Sequence, residues 1–271
     1  MTEQPTSDHY MLGDTRKSHR RYQLFNEVHG PGTNERLAAL ALPSDCRVLE
    51  IGCGIGITAC ELAQTVARDG HVTGIDAAPE IIDLAREEAK ARGVTNVTFE
   101  CIRAQDFDYP QDQFDLAHSR FVLTYFSDAA AVIAQVYGAL KPGGVFLGEE
   151  LSDVFVSHNA DWFHHVSDWL EALVEIGGGQ RNYGRNQLVS DVMTAGFQEV
   201  EARVSMPTLN QPVLREMIAV AVRDEFAAPL IAHGVATQEL IDGVVQKLLR
   251  EDSTELVSGL GAFQVSGRKP E

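Results

Sequence analysis

The segment Val48–Ala63, VLEIGCGIGITACELA, sets three glycines at alternate positions, Gly52, Gly54 and Gly56, just after the acidic Glu50. Glycines this dense cost chain entropy unless the backbone must turn tightly or admit a close neighbour. Between a strand and a helix they let main chain pass close to a ligand at the carboxyl edge of a sheet. Asp76 follows Gly56 by 20 residues, where a carboxylate accepts both hydroxyls of a ribose. Asp106 stands beside Phe107, an aromatic able to cover a base, and His118 follows the apolar run FDLA. Glycines with a ribose carboxylate also describe nicotinamide dinucleotide binding, which spaces its glycines GxGxxG around a pyrophosphate. Here the loop reads GxGxG after an acid, and Ile57 takes the third dinucleotide position. The spacing favours a nucleoside without phosphates and disfavours a nicotinamide oxidoreductase.

The elements that must position these groups alternate short apolar runs with amphipathic stretches, which predicts a mainly parallel sheet covered by helices. Strands are expected at Arg47–Ile51, His71–Asp76, Val97–Ile102 and Phe114–Ser119, with helices at Thr58–Asp69 and Pro79–Arg92. A helix over Asp128–Leu140, stopped by a turn at KPGG, precedes a fifth strand at Val145–Glu150. Beyond residue 150 the rhythm changes to helical and aromatic, with Phe155, Trp162, Phe163, Trp169 and Tyr183 before residue 195. A sixth strand is expected at Glu199–Met206, then helices at Val213–Phe226 and Thr237–Glu251, then a last strand at Ala262–Ser266. The first 40 residues carry no strand pattern. The expected organisation is a helical lid over 1–40, a nucleoside-binding core over 41–150, and a helical cap with the last two strands over 151–271.

Composition narrows the partners. The 271 residues carry a net charge of -17, a field that repels nucleic acid and anionic membranes. Mean hydropathy is -0.11, no apolar window reaches bilayer length, and the polar start MTEQPTSDHY lacks a signal region. A cytoplasmic protein is expected. Cys46, Cys53, Cys60 and Cys101 show neither zinc-type spacing nor a disulfide framework and read as buried thiols; no metal site is expected. One basic cluster, Arg16, Lys17, Arg20 and Arg21, reads as a solvated helix face, with an anion clamp as the lesser alternative.

Together, VLEIGCGIG, VTGIDAAPE, AQDFDYP, FDLAHSRFVLTYFSD and LKPGG resemble the class I S-adenosylmethionine-dependent methyltransferases, closely so over residues 45–150. The resemblance implies a Rossmann-like seven-stranded sheet in the order 3-2-1-4-5-7-6, its last strand antiparallel. Upstream, Tyr10, Leu12, Gly13 and Arg21 match an N-terminal Tyr-x-Leu-Gly segment of a small-molecule branch, whose Glu and Gln are replaced here by Ser18 and Phe25. The cofactor roles it implies are specific. Gly52 and Gly54 approach the methionine part while Glu50 orders the loop, and Asp76 takes the ribose hydroxyls with Ala77 against the adenine. Asp106 accepts from the adenine amino group and Phe107 packs its ring. His118 and Ser119 lie under the sulfonium, and Tyr10 and Arg21 close from the N-terminal side.

Methyl transfer from a sulfonium proceeds mainly by alignment and exclusion of water, with a base needed only for an acceptor that holds its proton. His118 is the best-placed candidate base among His9, His164, His165 and Tyr183; alternatively it packs beneath the cofactor without proton transfer. Arg120 is expected to hold the sheet edge to Glu149 or Glu150. The expected reaction is transfer to oxygen or nitrogen of a small organic acceptor, with no nucleic-acid or membrane partner and room for a homodimer. The alternative is a cyclisation shaped by bound cofactor.

Overall fold

The computed structural model describes residues 18–40, 42–66, 69–152, 160, 162–207, 211–250 and 261–271. Seven strands, β1 (Arg47–Ile51), β2 (His71–Asp76), β3 (Val97–Cys101), β4 (Phe114–Arg120), β5 (Leu140–Ser152), β6 (Gln198–Ser205) and β7 (Gly261–Arg268), form one sheet. Its order is β3-β2-β1-β4-β5-β7-β6, and β7 runs antiparallel to both neighbours. That is the expected topology. Helices α1 (His19–Ala39), α2 (Ile57–Thr65), α3 (Pro79–Arg92) and α4 (Ala129–Ala139) belong to the first half of the chain. The second half adds α5 (Trp162–Ile176), α6 (Tyr183–Asn186), α7 (Leu188–Thr194), α8 (Gln211–Ala221), α9 (Ala227–Ala232) and α10 (Gln238–Leu248).

Local chemistry explains many boundaries. Pro79 opens α3, where its missing N–H is not needed, and Gly93 ends it in a left-handed conformation. Asp128 caps α4 by accepting from the Ala131 amide at 2.9 Å. The KPGG segment departs from expectation, because β5 already begins at Leu140. Gly143, at φ +75°, and a register shift between Phe114 and Leu116 absorb the irregularity within the strand pairing. The helix expected at Val213–Phe226 also differs, since α8 continues through a π-helical turn, Val222–Phe226, into α9.

Four apolar clusters form among the described residues, and two are the largest. One is the sheet core, in which Leu49, Ile51, Ile75, Phe114 and Phe146 are buried. The other joins Trp162, Trp169, Leu214, Val222 and Leu248 of the cap helices to Leu24 and Val28 of α1. The α1 helix docks on the sheet through polar groups as well as through Leu37. Thr33 donates to Glu149 at 3.2 Å, and Arg36 reaches Ser266 and, at 2.8 Å, Glu201. Cys46, Cys53 and Cys60 are buried as expected, whereas Cys101 is exposed.

Candidate active site

The glycine loop, the ends of β1, β2 and β4, and helices α1, α5 and α8 enclose a cavity of about 240 Å³. Glu50, Gly52, Gly54, Asp76, Ala77 and Gln105 form its wall at the sheet edge. The remainder is mainly apolar, with Phe25, Phe121, Tyr125, Phe163, Leu170 and Met217 prominent, and includes Arg21, Arg103 and Arg120.

The loop's shape requires its glycines. Gly52 and Gly54 hold φ of +66° and +54°, a region side chains rarely enter. A Cβ on Gly52 would lie 2.6 Å from Val122 Cγ2, and one on Gly54 would lie 2.8 Å from Tyr22 Cε1. Asp76 organises the turn: its carboxylate accepts from the Gly54 amide at 3.0 Å and the Ala78 amide at 3.1 Å. Main chain thus presents itself to the cavity where a nucleoside ligand would lie.

Glu50 is the buried carboxyl of this wall. It is 3% exposed, and its Oε2 is buried without a hydrogen-bond partner among the described residues. A buried carboxylate oxygen on a cavity wall calls for a cationic or hydrogen-donating ligand group. Its Oε1 lies 3.6 Å from His118 Nδ1, an ion-pair distance rather than a hydrogen bond. On the other side, His118 Nε2 is 2.9 Å from Glu149 Oε1. Burial works against the imidazolium, yet its bond to Glu149 and the charges of both carboxylates outweigh burial and raise its pKa. Glu149 moves the other way: burial is outweighed by His118, Arg120 and Gln264, and its pKa is lowered.

The comparisons fall on this same scaffold. A family model described as a methyltransferase domain matches residues 42–196, more than half of the chain. The chain belongs to the methyltransferase-domain family. Its fold is that of the class I S-adenosylmethionine-dependent enzymes. It is 32% identical over 147 residues to YcgJ, an uncharacterized methyltransferase of Bacillus subtilis, covering 50% of this chain and 57% of that protein. The structure of YcgJ superposes with a TM-score of 0.59 at 21% identity, covering 90% of this chain and all of that one. Haemonchus contortus phosphoethanolamine N-methyltransferase 2, solved with phosphomonomethylethanolamine and S-adenosylhomocysteine, gives 0.60 at 18% identity, covering 96% and 61%. The cyclase SpnF gives 0.58 at 19%, covering 98% and 89%. The chain spans about half the length of the curated relatives it matches.

Of the residues expected in the methyltransferase site, Arg21, Glu50, Gly52, Gly54, Asp76 and Ala77 line the cavity. Tyr10 and His9 lie outside the described residues. Asp106 and Phe107 stand off the wall. The single 3₁₀ turn Ala104–Asp106 rotates each residue by a third of a circle. Ala104 and Gln105 face the cavity, while Asp106 is exposed and bound by Arg103 at 2.6 Å. The ring of Phe107 packs edge-on against Tyr109 at 5.0 Å. His118 and Ser119 are fully buried and do not reach the cavity, so the expected base sits behind the wall.

Two of the other candidate bases have partners of their own. Tyr183 donates to Asp191 at 2.9 Å, and His165 stacks on Trp169. Of the cap aromatics, Phe163 reaches the wall, whereas Trp162 and Trp169 are core. Arg120 bonds neither Glu149 nor Glu150; it lines the cavity and donates to Asn26 and Thr33 of α1. Sequence reasoning missed Tyr22 and Val122, which nothing in local spacing marks, while Phe25, noted as standing where the branch has Gln, lines the cavity.

Glu150 supports the wall from behind. Its Oε1 accepts from the Leu123 amide at 2.7 Å and the Val122 amide at 3.2 Å, holding the turn that packs on Gly52. Burial pushes its pKa from 4.5 to about 8 against those amide bonds. A carboxyl raised in the folded state contributes stability that is full below its unfolded value and is lost as pH rises through the folded one. We therefore expect Glu150→Gln, which keeps the acceptor oxygen, to melt progressively higher than the parent as pH rises from about 5 to about 8. A parallel pair of melting curves across that range would disprove the buried charge.

Proposed function

We propose that this methyltransferase binds S-adenosylmethionine along the sheet-edge wall and methylates an oxygen or nitrogen of a small, largely apolar acceptor held by α1, α5 and α8. The observation that carries this reading is the orphaned Glu50 oxygen on a glycine-lined wall that continues into an apolar chamber. Bound cofactor would supply a methyl carbon activated by a sulfonium. Glu50 faces its positive methionine end, Gly52 and Gly54 let the backbone approach, Asp76 takes the ribose hydroxyls, and Ala77 with Gln105 flanks the adenine. The guanidinium of Arg21 is ion-paired to Glu225 and stacks 4.3 Å over Tyr22, which leans on the glycine loop. In this reading His118 is a positioning residue that ties Glu50 to the Glu149 network. Residues 1–40 act as a lid, and the cap encloses the acceptor so that water is excluded during transfer.

The test combines calorimetric titration of S-adenosylhomocysteine with product mass after incubation with S-adenosylmethionine and candidate acceptors. A gain of one methylene unit is expected. A product isomeric with its substrate would instead establish the cyclisation reading, and absence of cofactor binding would refute both. The N-terminal lid is tested by hydrogen exchange. Amides of α1 are expected to slow when S-adenosylhomocysteine is added; unchanged exchange would remove the lid.

A further inference from the structure

We propose that Arg120 binds an ionised oxygen, carboxylate or phenolate, on an otherwise apolar acceptor; this rests on the methyltransferase reading above. The argument is one of charge. Carboxylates on the described cavity wall are Glu50 and Asp76, both at the glycine loop, whereas the chamber beyond contains Arg21 and Arg120. Arg21 has its own counter-ion, Glu225, at 2.6 Å. Arg120 donates to neutral oxygens, Asn26 Oδ1 at 3.0 Å and Thr33 Oγ1 at 3.2 Å. A guanidinium has five donors, so three remain without a partner among the described residues.

Glu149 acts on Arg120 through space but accepts no hydrogen bond from it among the described residues. Glu149 is fully buried, and its oxygens accept from His118, Thr33 and Gln264. The Thr33 hydroxyl has one proton, shared between Glu149 at 3.2 Å and the His29 carbonyl at 3.4 Å, and it accepts from Arg120. This bridge fixes the guanidinium without a direct ion pair. Immediately beyond, Phe121 adopts φ +59°, a left-handed conformation unusual for a bulky residue. Its ring thereby meets Phe25 at a centroid distance of 6.0 Å and lies 5.9 Å from the Arg120 guanidinium. A cation beside an aromatic ring in a mainly apolar chamber attracts an anion and repels an ammonium.

This also fits the absence of histidine and lysine from the described wall. An oxygen bound ionised has already released its proton to solvent. It brings the electron pair for the new C–O bond, the C–S pair stays on sulfur, and the opposite charges cancel. No base is required.

The probes are 1-naphthoate, its uncharged carboxamide and 1-naphthylmethylammonium, titrated by calorimetry with S-adenosylhomocysteine bound; 2-naphthol separates phenolate from carboxylate. Naphthoate or naphtholate is expected to bind at least about tenfold more tightly than the carboxamide, and the ammonium more weakly still. Arg120→Met should erase that preference, and Arg120→Lys should retain part of it. Equal affinities, a preference that Arg120→Met keeps, or no binding of either anion up to millimolar concentration would overturn the proposal. Should Arg120→Met fail to fold, the charge preference of the parent protein decides alone. A chain that does not bind S-adenosylhomocysteine overturns the reading of the previous section, and titrating the free protein with the same probes still decides Arg120.

Discussion

Asp76→Ala is expected to weaken S-adenosylhomocysteine binding at least about a hundredfold, because two charge-assisted hydrogen bonds to a ribose are each worth roughly 1.5–3 kcal/mol. The geometry makes the loss larger than that of the ribose contacts alone. The same carboxylate accepts from the Gly54 and Ala78 amides, so its removal also frees the glycine loop and the start of α3. Asp76→Asn, which keeps one acceptor oxygen, should fall between the two. Titration calorimetry on the folded variants measures both. Unchanged affinity for Asp76→Ala would remove this carboxylate from the cofactor site altogether.

Arg21→Met is expected to lower stability by about 3–5 kcal/mol, the cost of leaving a buried carboxylate without its cation. The Arg21 and Glu225 side chains are 6% and 2% exposed at an N···O distance of 2.6 Å. Burial already raises the pKa of Glu225 against the pull of Arg21 and Ser18. For a chain of this size that loss corresponds to a drop of about 6–20 °C in melting temperature. Arg21→Met combined with Glu225→Leu should recover most of it, since two apolar groups leave no orphaned charge. If the double variant melts no higher than the single one, the pair is not what holds α1 to the π turn. Cofactor titration of the double variant then reports what Arg21 contributes to binding apart from folding.

The cap and α1 show why part of the site was invisible beforehand. The glycine loop, Asp76 and the strand ends are encoded over short distances: apolar runs of period two, glycines where backbone must turn, a carboxylate at a strand terminus. Arg120, by contrast, meets Asn26 and Thr33 across 94 and 87 residues of chain, and no spacing rule spans that. The α1 helix docks through Leu24, Val28 and Leu37 together with the polar Asn26, Thr33 and Arg36, so periodicity could assign it a helix but not a face. Asp106 was read correctly as following β3; the 3₁₀ turn alone turned it outward and Gln105 inward.

The sequence by itself determined the strands and the glycine loop, because alternating polarity and left-handed glycines restrict each segment independently of the rest, while the strand order followed from the resemblance of its motifs to the class I methyltransferases. Tertiary structure decided which charges face the cavity. His118 lies behind the wall because β5 and α1 bring Glu149 and Thr33 over it, and Arg120 faces the chamber because the strained Phe121 turn and α1 fix it there. Whether a charged side chain is a tool or a strut depends on the partners that folding delivers to it, and those partners come from distant parts of the chain.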